Sequence, residues 1–423
     1  MPRLLLLLPA ATYRAEAFLE AAGRLGLDVT VASDAAHPQA SLPSPAFLAM
    51  DFREPGQAAS VAAAFAATVP ISAAVGVDDV TAVVAAACAK ALGLPHNPLE
   101  SVAAARNKYR MRERLQASGL PVPRFARYSM DDDPERLAGR IPFPCVLKPL
   151  VLSASCGVIR ADDRAAFVTA FHRIRTLLTT LALDAMGEAA YQVLVEEFIP
   201  GREVALEGLL TGGTLRVLAL FDKPDPLDGP FFEETLYVTP SRLAAGVQRE
   251  IERAAGQAAA AMGLREGPVH GELRINDAGV WVIELAARSI GGRCSQTLRF
   301  TGLSLEELIL RHALRLNLPS LDAPPPPAGV MMLPIPRAGI LRAVRGQDAA
   351  RQVPGIEDVT ITAEMGQRLV PLPEGTRYLG FLVARGDSPA SVEAVLREAH
   401  RRLEFVIDPA IDGAESRSNV VRF

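Results

Sequence analysis

The chain has 423 residues, a formal charge of −4 and a pI near 6.0. This length supports two or three domains with their own cores, and the mildly acidic balance gives no case for nucleic acid as the main partner. The four cysteines, Cys88, Cys145, Cys156 and Cys294, are scattered without a CxxC pair. That pattern is typical of the reducing cytosol, so we expect a cytoplasmic protein with neither a disulfide framework nor a zinc site.

The first element is predicted to be a buried strand. Five leucines, Leu4–Leu8, stop at Pro9 and polar residues follow at once, so the apolar core is short for a signal peptide. The uncharged run Ala58–Val77 has the length of a membrane helix, but it is alanine-rich and contains Pro70. We interpret it as a helix followed by a strand and expect no membrane association.

Residues 1–98 alternate between strand and helix. The pattern is carried by RLLLLLP, TYRAEAFLEAAGRLG, LDVTVAS, ISAAVGVDD and VTAVVAAACAKALG. It predicts an α/β fold that begins with a small parallel sheet of Rossmann type. The first strand–helix turn lacks GxGxxG, so dinucleotide binding is not supported.

Residues 99–322 are predicted to form a second domain of α+β character. One helical segment, PLESVAAARNKYRMRERLQASG, is followed by the strand FPCVLKPL, a Ser/Gly loop, a long helix and the strand YQVLVEEFI, with a lid subdomain at about 140–200. Two strands then turn at TGG, and a helix near 244–263 precedes a hairpin. The run Ala323–Pro327 predicts a stiff linker to a smaller α/β subdomain at 328–423.

The hairpin in HGELRINDAGVWVIELAARSIGGR brings two acids face to face. If Asn276 opens a type I turn and Gly279 takes a left-handed bulge position, the loop has three residues. This register predicts the cross-strand pairs Asn276 with Val280, Arg274 with Val282, Glu272 with Glu284, and His270 with Ala286. Directly opposed carboxylates destabilise a sheet. The alternative is a surface hairpin with a slipped register, in which the glutamates point apart into water.

A divalent cation would account for the opposed Glu272 and Glu284. Carboxylates are hard oxygen ligands, and Mg²⁺ is commonly held by one or two of them together with substrate phosphates. Arg288 follows on the same face and presents a guanidinium suited to phosphoryl or carboxylate oxygens. The three residues together predict a phosphoryl-transfer site.

Two lysines and a loop upstream favour the same chemistry. Lys148 ends an apolar run before Pro149, where a purely structural lysine is awkward to bury. The loop LVLSASCGV follows directly, and its hydroxyls and backbone N–H groups suit phosphate oxygens. Lys108 lies in the helical segment RNKYRMRERL. A solvated lysine and an ordinary tight turn remain the alternatives.

The segment VLVEEFIPGREVALEG ends an apolar strand in two adjacent acids, and Glu203 follows. A strand exit whose backbone faces a cleft can contact an adenine edge, and a carboxylate further along can accept a ribose hydroxyl. An ordinary strand–turn–strand connection is the alternative for this segment.

Taken in order, these motifs resemble the ATP-grasp superfamily from the first domain to about residue 320, and the tail resembles the carboxylate–amine ligase branch. The resemblance implies ATP-grasp architecture, ATP, and Mg²⁺, usually two ions, with Mn²⁺ as a substitute. It assigns Lys108 and Lys148 to the ATP phosphates; Ser153, Ser155 and Gly157 to the closing loop; Glu196, Phe198 and Ile199 to adenine; Glu203 to ribose; Glu272 and Glu284 to the metal; and Arg288, with Lys148, to catalysis.

One position departs from the superfamily pattern. Members often have E-x-N-x-R where this chain has Glu284, Ala286 and Arg288. The E-x-A-x-R form is similar to that of dipeptide-forming ligases, which favours an amino-acid ligase over D-alanine–D-alanine ligase or biotin carboxylase. Since His270 is predicted to lie opposite Ala286, we hypothesise that His270 or a water takes the place of the missing Asn. A packed or surface histidine is the alternative.

The resemblance implies that a carboxylate attacks the γ-phosphate of ATP, and that an amine then displaces phosphate from the acyl-phosphate. We expect small-molecule substrates, with amino acids favoured, and no nucleic-acid or membrane partner; a homodimer is compatible with the resemblance. The substrate candidates are Lys223 for phosphate, Glu234 for an ammonium group, Gly291 and Gly292 for space, and Arg293 for a second carboxylate. The alternatives are an ATP-grasp enzyme of purine or cofactor assembly, and a non-catalytic ATP-binding protein.

Overall fold

The computed structural model describes residues 2–10, 12–34, 46–181, 184–321 and 325–409, and the side chains of 184–186 are left out. Ala323 and Pro324 of the predicted linker lie outside the described residues, as does the end of the predicted last subdomain, 410–423.

The N-terminal region is the predicted parallel sheet. Its elements are β1 (Arg3–Leu7), α1 (Ala15–Arg24), β2 (Asp28–Ser33), β3 (Phe47–Ala49), α2 (Pro55–Ala66), β4 (Ala73–Gly76) and α3 (Asp79–Ala91). The strand order is β3-β2-β1-β4 and every pair is parallel. Helices cover both faces of β1: Leu4 and Leu6 pack with α1, and Leu5 and Leu7 with α2 and α3. This explains why the first strand is apolar at every position.

The helical segment after residue 98 is two helices rather than the predicted one: α4 (Leu99–Ala105) and α5 (Lys108–Ala117). Asn107 interrupts the helix, since its extended backbone ends α4 and its side-chain oxygen accepts the N–H groups of Tyr109 and Arg110, both at 3.1 Å. Asn is a favoured N-cap because it satisfies these otherwise unpaired donors. The break makes Lys108 the first residue of α5.

The next region is a four-stranded antiparallel sheet covered by a long helix. It contains β5 (Phe125–Ser129), α6 (Pro134–Ala138), β6 (Cys145–Pro149), β7 (Ile159–Ala161), α7 (Arg164–Leu181) and β8 (Gln192–Glu197), in the strand order β5-β8-β6-β7. Phe167, Phe171 and Ile174 of α7 are buried against the sheet.

The remaining chain builds one eight-stranded sheet and its surroundings. Its elements are β9 (Arg202–Thr211), β10 (Thr214–Asp222), β11 (Leu236–Thr239), α8 (Ala245–Met262), β12 (Gly267–Asn276), β13 (Gly279–Ala286), β14 (Arg299–Phe300), β15 (Leu303–Ser304), α9 (Leu305–Ala313), β16 (Ala328–Leu333), β17 (Gly339–Arg345), α10 (Gln347–Arg351), β18 (Ile356–Ile361), β19 (Arg368–Leu369), β20 (Gly380–Arg385), α11 (Pro389–Arg401) and β21 (Glu404–Asp408). The sheet order is β13-β12-β9-β10-β11-β16-β20-β18. Strands on both sides of the predicted linker therefore share one sheet.

The hairpin β12–β13 corrects the predicted turn but keeps the predicted pair of acids. Only Asp277 and Ala278 separate the strands, so Asn276 pairs with Gly279 and Arg274 with Trp281, not with Val280 and Val282. A β-bulge then shifts the register by one residue, because Leu273 pairs with Val282 and Glu272 with Glu284, leaving Ile283 as the extra residue. The bulge is thus present, but at Ile283 rather than at the turn. His270 lies opposite Ala286 as predicted.

Within the described ranges, no helix combines the length and apolar character needed to cross a membrane. The Ala58–Val77 run is divided between α2 and β4, as predicted.

Candidate active site

A cavity of about 1520 Å³ lies where the regions of the chain meet. Its wall includes Tyr13 and Asp79 from the N-terminal region, Lys148 and Ser155 from the four-stranded sheet and its loop, Glu272 and Glu284 from the hairpin, and Met332 and Tyr378 from the C-terminal strands and loops. The cavity collects most of the predicted site residues, although they are spread over much of the sequence.

The opposed glutamates on β12 and β13 are each accompanied by a cation. The Lys108 ammonium lies 3.8 Å from a Glu284 oxygen, and the Lys223 ammonium lies 3.1 Å from a Glu272 oxygen. Opposite charges at these distances offset the repulsion that the cross-strand pairing imposes. The slipped-register alternative is therefore wrong, since both carboxylates line the cavity.

At one end of the cavity, Lys148 and Glu196 line the wall and Arg112 lies buried behind them, so two cations surround a single acid. Arg112 donates to both Glu196 oxygens, at 2.9 and 3.2 Å, and the Lys148 ammonium contacts the same carboxylate. Burial alone would raise the pKa of Glu196, but Arg112 and Lys148 lower it to about 2. The pKa of Lys148 is lowered by burial, which outweighs the attraction of Glu196. We call Arg112, Lys148 and Glu196 the hinge cluster.

The other end has the opposite balance, with one lysine among three acids. The Lys223 ammonium lies 2.8 Å from Glu203, 2.5 Å from Glu234 and 3.1 Å from Glu272. Burial opposes the charge on Lys223, but the three carboxylates raise its pKa well above the usual range. Burial and then Glu272 raise the pKa of Glu234 to about 8. The pKa of Glu272 is lowered well below its usual range, because Lys223 and His270 outweigh burial. We call Lys223, Glu203, Glu234 and Glu272 the acid cluster.

The acid cluster fits a divalent cation by its donors. Oxygens of Glu203, Glu234 and Glu272 lie within 4.8 Å of one another, and carboxylate oxygens are the ligands that Mg²⁺ and Mn²⁺ accept. Glu272 belongs both to this group and to the opposed pair with Glu284, so it is the residue that connects the two arrangements.

The predicted phosphate-binding loop closes over Lys108. The Lys108 ammonium donates to the Leu152 carbonyl at 2.5 Å, and Ser153 and Ser155 line the cavity. Gly157 has a φ of +70° and does not line the cavity; its N–H donates to the Pro373 carbonyl at 2.8 Å. Ser155 also has a positive φ, 55°, which is uncommon outside glycine.

The predicted nucleotide-binding residues line the cavity but are bonded within the protein. Phe198 donates its N–H to the Pro144 carbonyl at 3.1 Å, and the Ile199 carbonyl accepts from Arg274 at 2.8 Å. The Arg274 guanidinium also donates to Glu203 at 2.8 Å. Glu203 is thus held by two cations, Arg274 and Lys223.

Arg288 is anchored by the N-terminal region. Its Nε donates to Asp79 at 2.8 Å, and although burial opposes the charge, Asp79 raises the pKa of Arg288. Nearby, Arg14 donates to the Ser289 hydroxyl at 2.9 Å and to the Val77 carbonyl at 2.7 Å. Strand ends of the N-terminal sheet therefore hold the loop that carries Arg288.

The predicted substrate residues occupy three different positions. His270 is buried, with Nδ1 3.2 Å from the Leu206 carbonyl and Nε2 3.6 Å from Glu272, and burial lowers its pKa. Gly291 and Gly292 line the cavity, and the Gly292 N–H donates to the Tyr13 hydroxyl at 2.9 Å. The side chain of Met332 lies where a side chain at 292 would stand. Arg293 does not line the cavity, and it donates to Thr360 at 3.1 Å.

Sequence reasoning missed Arg112 and Asp79, because neither stands in a recognisable motif.

The amino-acid composition contained a signal for the site that the motifs did not. The sequence contains four lysines, Lys90, Lys108, Lys148 and Lys223, among 44 basic residues. Three of these four reach one site: Lys108 and Lys148 line the cavity, and Lys223 pairs with cavity-lining glutamates. Scarce lysines in an arginine-rich chain were therefore a pointer to it.

Three family models match the chain in succession. They describe an ATP-grasp N-terminal domain at residues 19–96, an ATP-grasp domain at 141–297 and the L-amino acid ligase C-terminal domain 2 at 331–408.

Individual relatives agree with these models. The crystal structure of L-amino acid ligase from Bacillus licheniformis superposes with a TM-score of 0.78 at 26% identity, over 96% of this chain and 99% of that one. Alanine–anticapsin ligase of Bacillus subtilis is 26% identical over 53% of this chain and 50% of its own length. Dapdiamide A synthase of Enterobacter agglomerans is 30% identical over 46% and 45%. The chain spans about half the length of these two curated relatives. With its fold and three successive domain matches, it belongs to the carboxylate–amine ligase branch of the ATP-grasp superfamily.

Proposed function

We propose that the protein is an ADP-forming ligase that joins the carboxyl group of an amino acid to an amine, in the simplest case a second amino acid. The observation that carries this proposal is the polarity of the cavity. Lys148 and Glu196, backed by the buried Arg112, form one end, and the carboxylates of Glu203, Glu234 and Glu272 around Lys223 form the other. A reaction that brings a polyphosphate together with divalent cations and an ammonium group needs both ends.

The positive end suits the ATP phosphates. Lys148 and Lys108 are both buried, so their attraction for a phosphate is little screened by solvent. Ser153 and Ser155 stand on the loop above Lys108. We assign the wall at Glu196, Phe198 and Ile199 to adenine and Glu203 to ribose. The Glu203 assignment requires its pairing with Lys223 or Arg274 to loosen when nucleotide binds.

Glu272 and Glu284 would hold Mg²⁺ or Mn²⁺ with the ATP phosphates, as one or two ions, and Glu234 lies close enough to Glu272 to contribute. A bound divalent ion supplies charge neutralisation for the phosphoryl group. His270 faces Glu272 at 3.6 Å, so it remains our candidate for the position of the missing Asn, beside Ala286.

The reaction then follows from the placement of the protein's own groups. A carboxylate oxygen attacks the γ-phosphorus of ATP, the bond to the bridging oxygen of ADP breaks, and an acyl-phosphate forms. Arg288, fixed by Asp79, and Lys148 stabilise the negative charge on the transferring oxygens. The amine attacks the acyl carbon and phosphate leaves. The loop at 150–158 would exclude water, which hydrolyses acyl-phosphates.

Substrate binding is assigned to the negative end and the glycine loop. Glu234 is our candidate for a substrate ammonium group, and Gly291 and Gly292 border the same cavity. Arg293 remains a candidate for a second carboxylate only if it leaves Thr360 and Asp358, which it contacts here. Four free, buried cysteines support a reducing, cytoplasmic site of action.

The test is ADP release from ATP and Mg²⁺ with the twenty L-amino acids, singly and in pairs, with Glu284→Ala as the blank and mass spectrometry of the product. Amino-acid-dependent turnover with a condensed product is the expected result. ATP binding without stimulation by any pair would favour another acid or amine. ATP titration calorimetry provides an independent check, since Lys148→Met should remove ATP binding, and with it protection against thermal unfolding by ATP, while Lys90→Met should keep both. Absence of both turnover and protection would overturn the proposal.

A further inference from the structure

Among the residues that the structure describes, Arg112 is the largest side chain that is almost wholly buried, with 1% of its surface exposed. It stands on α5, one turn after Lys108, and uses its guanidinium in two directions. Toward the hinge cluster it forms the two hydrogen bonds to Glu196 described above. Toward β13 it donates to the Val282 carbonyl at 3.2 Å and to the Ile283 carbonyl at 2.8 Å.

These two carbonyls belong to the β-bulge. β13 is the edge strand of the eight-stranded sheet, so its outer carbonyls have no neighbouring strand to bond them. The bulge at Ile283 is also what sets Glu284 opposite Glu272. If the register of the turn continued without a bulge, Ile283 would face Glu272, and the Glu284 side chain would point to the other face of the sheet.

We propose that Arg112 is a positioning residue that couples the two halves of the site: it holds the bulge that aims Glu284 at Glu272, and through Glu196 it orients Lys148. The inference rests on the proposed function, because it concerns residues assigned there to the metal and to ATP. A planar guanidinium with five donors meets one carboxylate and two carbonyls at once; a lysine ammonium in its place is too compact to reach all of them.

Arg112→Lys is the test, with Arg114→Lys as its matched control. Arg114 lies on the same helix but donates to the Met262 carbonyl at 2.7 Å, away from the cavity. Arg112→Lys is expected to raise the Mg²⁺ concentration for half-maximal ADP release by about tenfold or more, as removal of a group that orients metal ligands does elsewhere. It should also speed amide hydrogen exchange across 279–287 in the ligand-free protein, whereas Arg114→Lys changes neither quantity.

Deletion of Ile283 from the Arg112→Lys protein provides a second test, because general destabilisation would not be reversed by a further deletion. In an unbulged ladder the deletion keeps Glu284 opposite Glu272, so it should restore the Mg²⁺ requirement of Arg112→Lys toward that of the parent. The proposal is wrong if Arg112→Lys behaves like Arg114→Lys in hydrogen exchange, or if the deletion leaves the full defect. Should the parent chain release no ADP at all, the proposed function fails, while hydrogen exchange still decides the role of Arg112.

Discussion

The hinge cluster and the acid cluster are built from the same kinds of side chains in opposite proportions. The first has two cations for one carboxylate, and the second has one cation for three carboxylates. All seven residues are buried or half-buried. The hinge cluster has a surplus cation, whereas the acid cluster keeps three carboxyl groups for two cations once Arg274 beside Glu203 is counted, so ligands of opposite sign suit the two clusters.

The difference teaches how one cavity accommodates both a polyphosphate and cationic groups. Burying an unbalanced charge is costly unless it is paired. The surplus charge is tolerated here because the cavity admits solvent or ligand. Ligands of opposite sign should therefore stabilise opposite ends.

The largest effect is expected from Lys223→Met. Removal of the Lys223 ammonium leaves Glu234 and Glu272 without this cation, while Glu203 keeps Arg274, and breaking buried pairs typically costs about 3–5 kcal/mol. The free energy of unfolding, measured in urea at pH 7, should fall by that amount and be partly recovered by millimolar Mg²⁺ without nucleotide. Lys90→Met, an exposed lysine on α3, is the control. Equal stability of the two variants would contradict the charge imbalance.

Glu196→Gln should lower the free energy of unfolding by less than Lys223→Met, and an anion rather than a cation should restore it. The amide keeps hydrogen-bonding capacity, but Arg112 and Lys148 lose their counter-charge; hydrogen bonds to charged groups contribute about 1.5–3 kcal/mol. ATP should recover part of the lost stability, because its phosphates supply negative charge, and Mg²⁺ alone should not. Recovery by Mg²⁺ alone would contradict the surplus of positive charge at this end of the cavity.

The pH dependence tests Glu234. Its folded-state pKa is raised to about 8 from a usual value of 4.5, so the folded chain holds a proton that the unfolded chain has released. The resulting stability is complete below about 4.5 and is lost as pH rises through about 8. Between pH 7 and 8.5 the parent should lose about 1 kcal/mol relative to Glu234→Gln. Parallel stability curves for the two proteins would argue against a protonated Glu234.

The smallest effect is expected outside the cavity, where Arg173 and Glu374 form an ion pair with two hydrogen bonds of 2.8 and 2.9 Å. Both side chains are more than a third exposed. A double-mutant cycle with Arg173→Gln and Glu374→Gln should give a coupling energy of about 0.2–1 kcal/mol that weakens with salt. A coupling energy as large as the loss of stability in Lys223→Met would mean that burial does not explain why the clusters contribute more than surface ion pairs.

Local patterns predicted much of this molecule, and the hairpin shows their limit. The alternation of β12 and β13 and the position of the turn residues predicted that Glu272 faces Glu284. The loop length was wrong by one residue, and the bulge at Ile283 restored the pairing. Nothing in VWVIEL marks Ile283 as the extra residue. We attribute its position to Arg112, which donates to its carbonyl from a different element.

The partners of the site residues were the least predictable part. The sequence showed that Lys148, before Pro149, is too costly to bury for a purely structural lysine. It did not show that Glu196, which was assigned to adenine alone, is its counter-ion. Asp79 and Arg14 contact the Arg288 loop from about 200 residues or more away in sequence. Such pairings follow from the packing of domains, which single-segment patterns do not contain.

The shared eight-stranded sheet has a consequence for synthesis of the chain. Leu236–Thr239 is made long before Ala328–Leu333, its partner strand. Until the partner leaves the ribosome, β11 presents an unpaired edge, which invites pairing with other chains. Glu234 lies two residues before that edge, so the strand beside it gains its second neighbour only after the last domain has emerged.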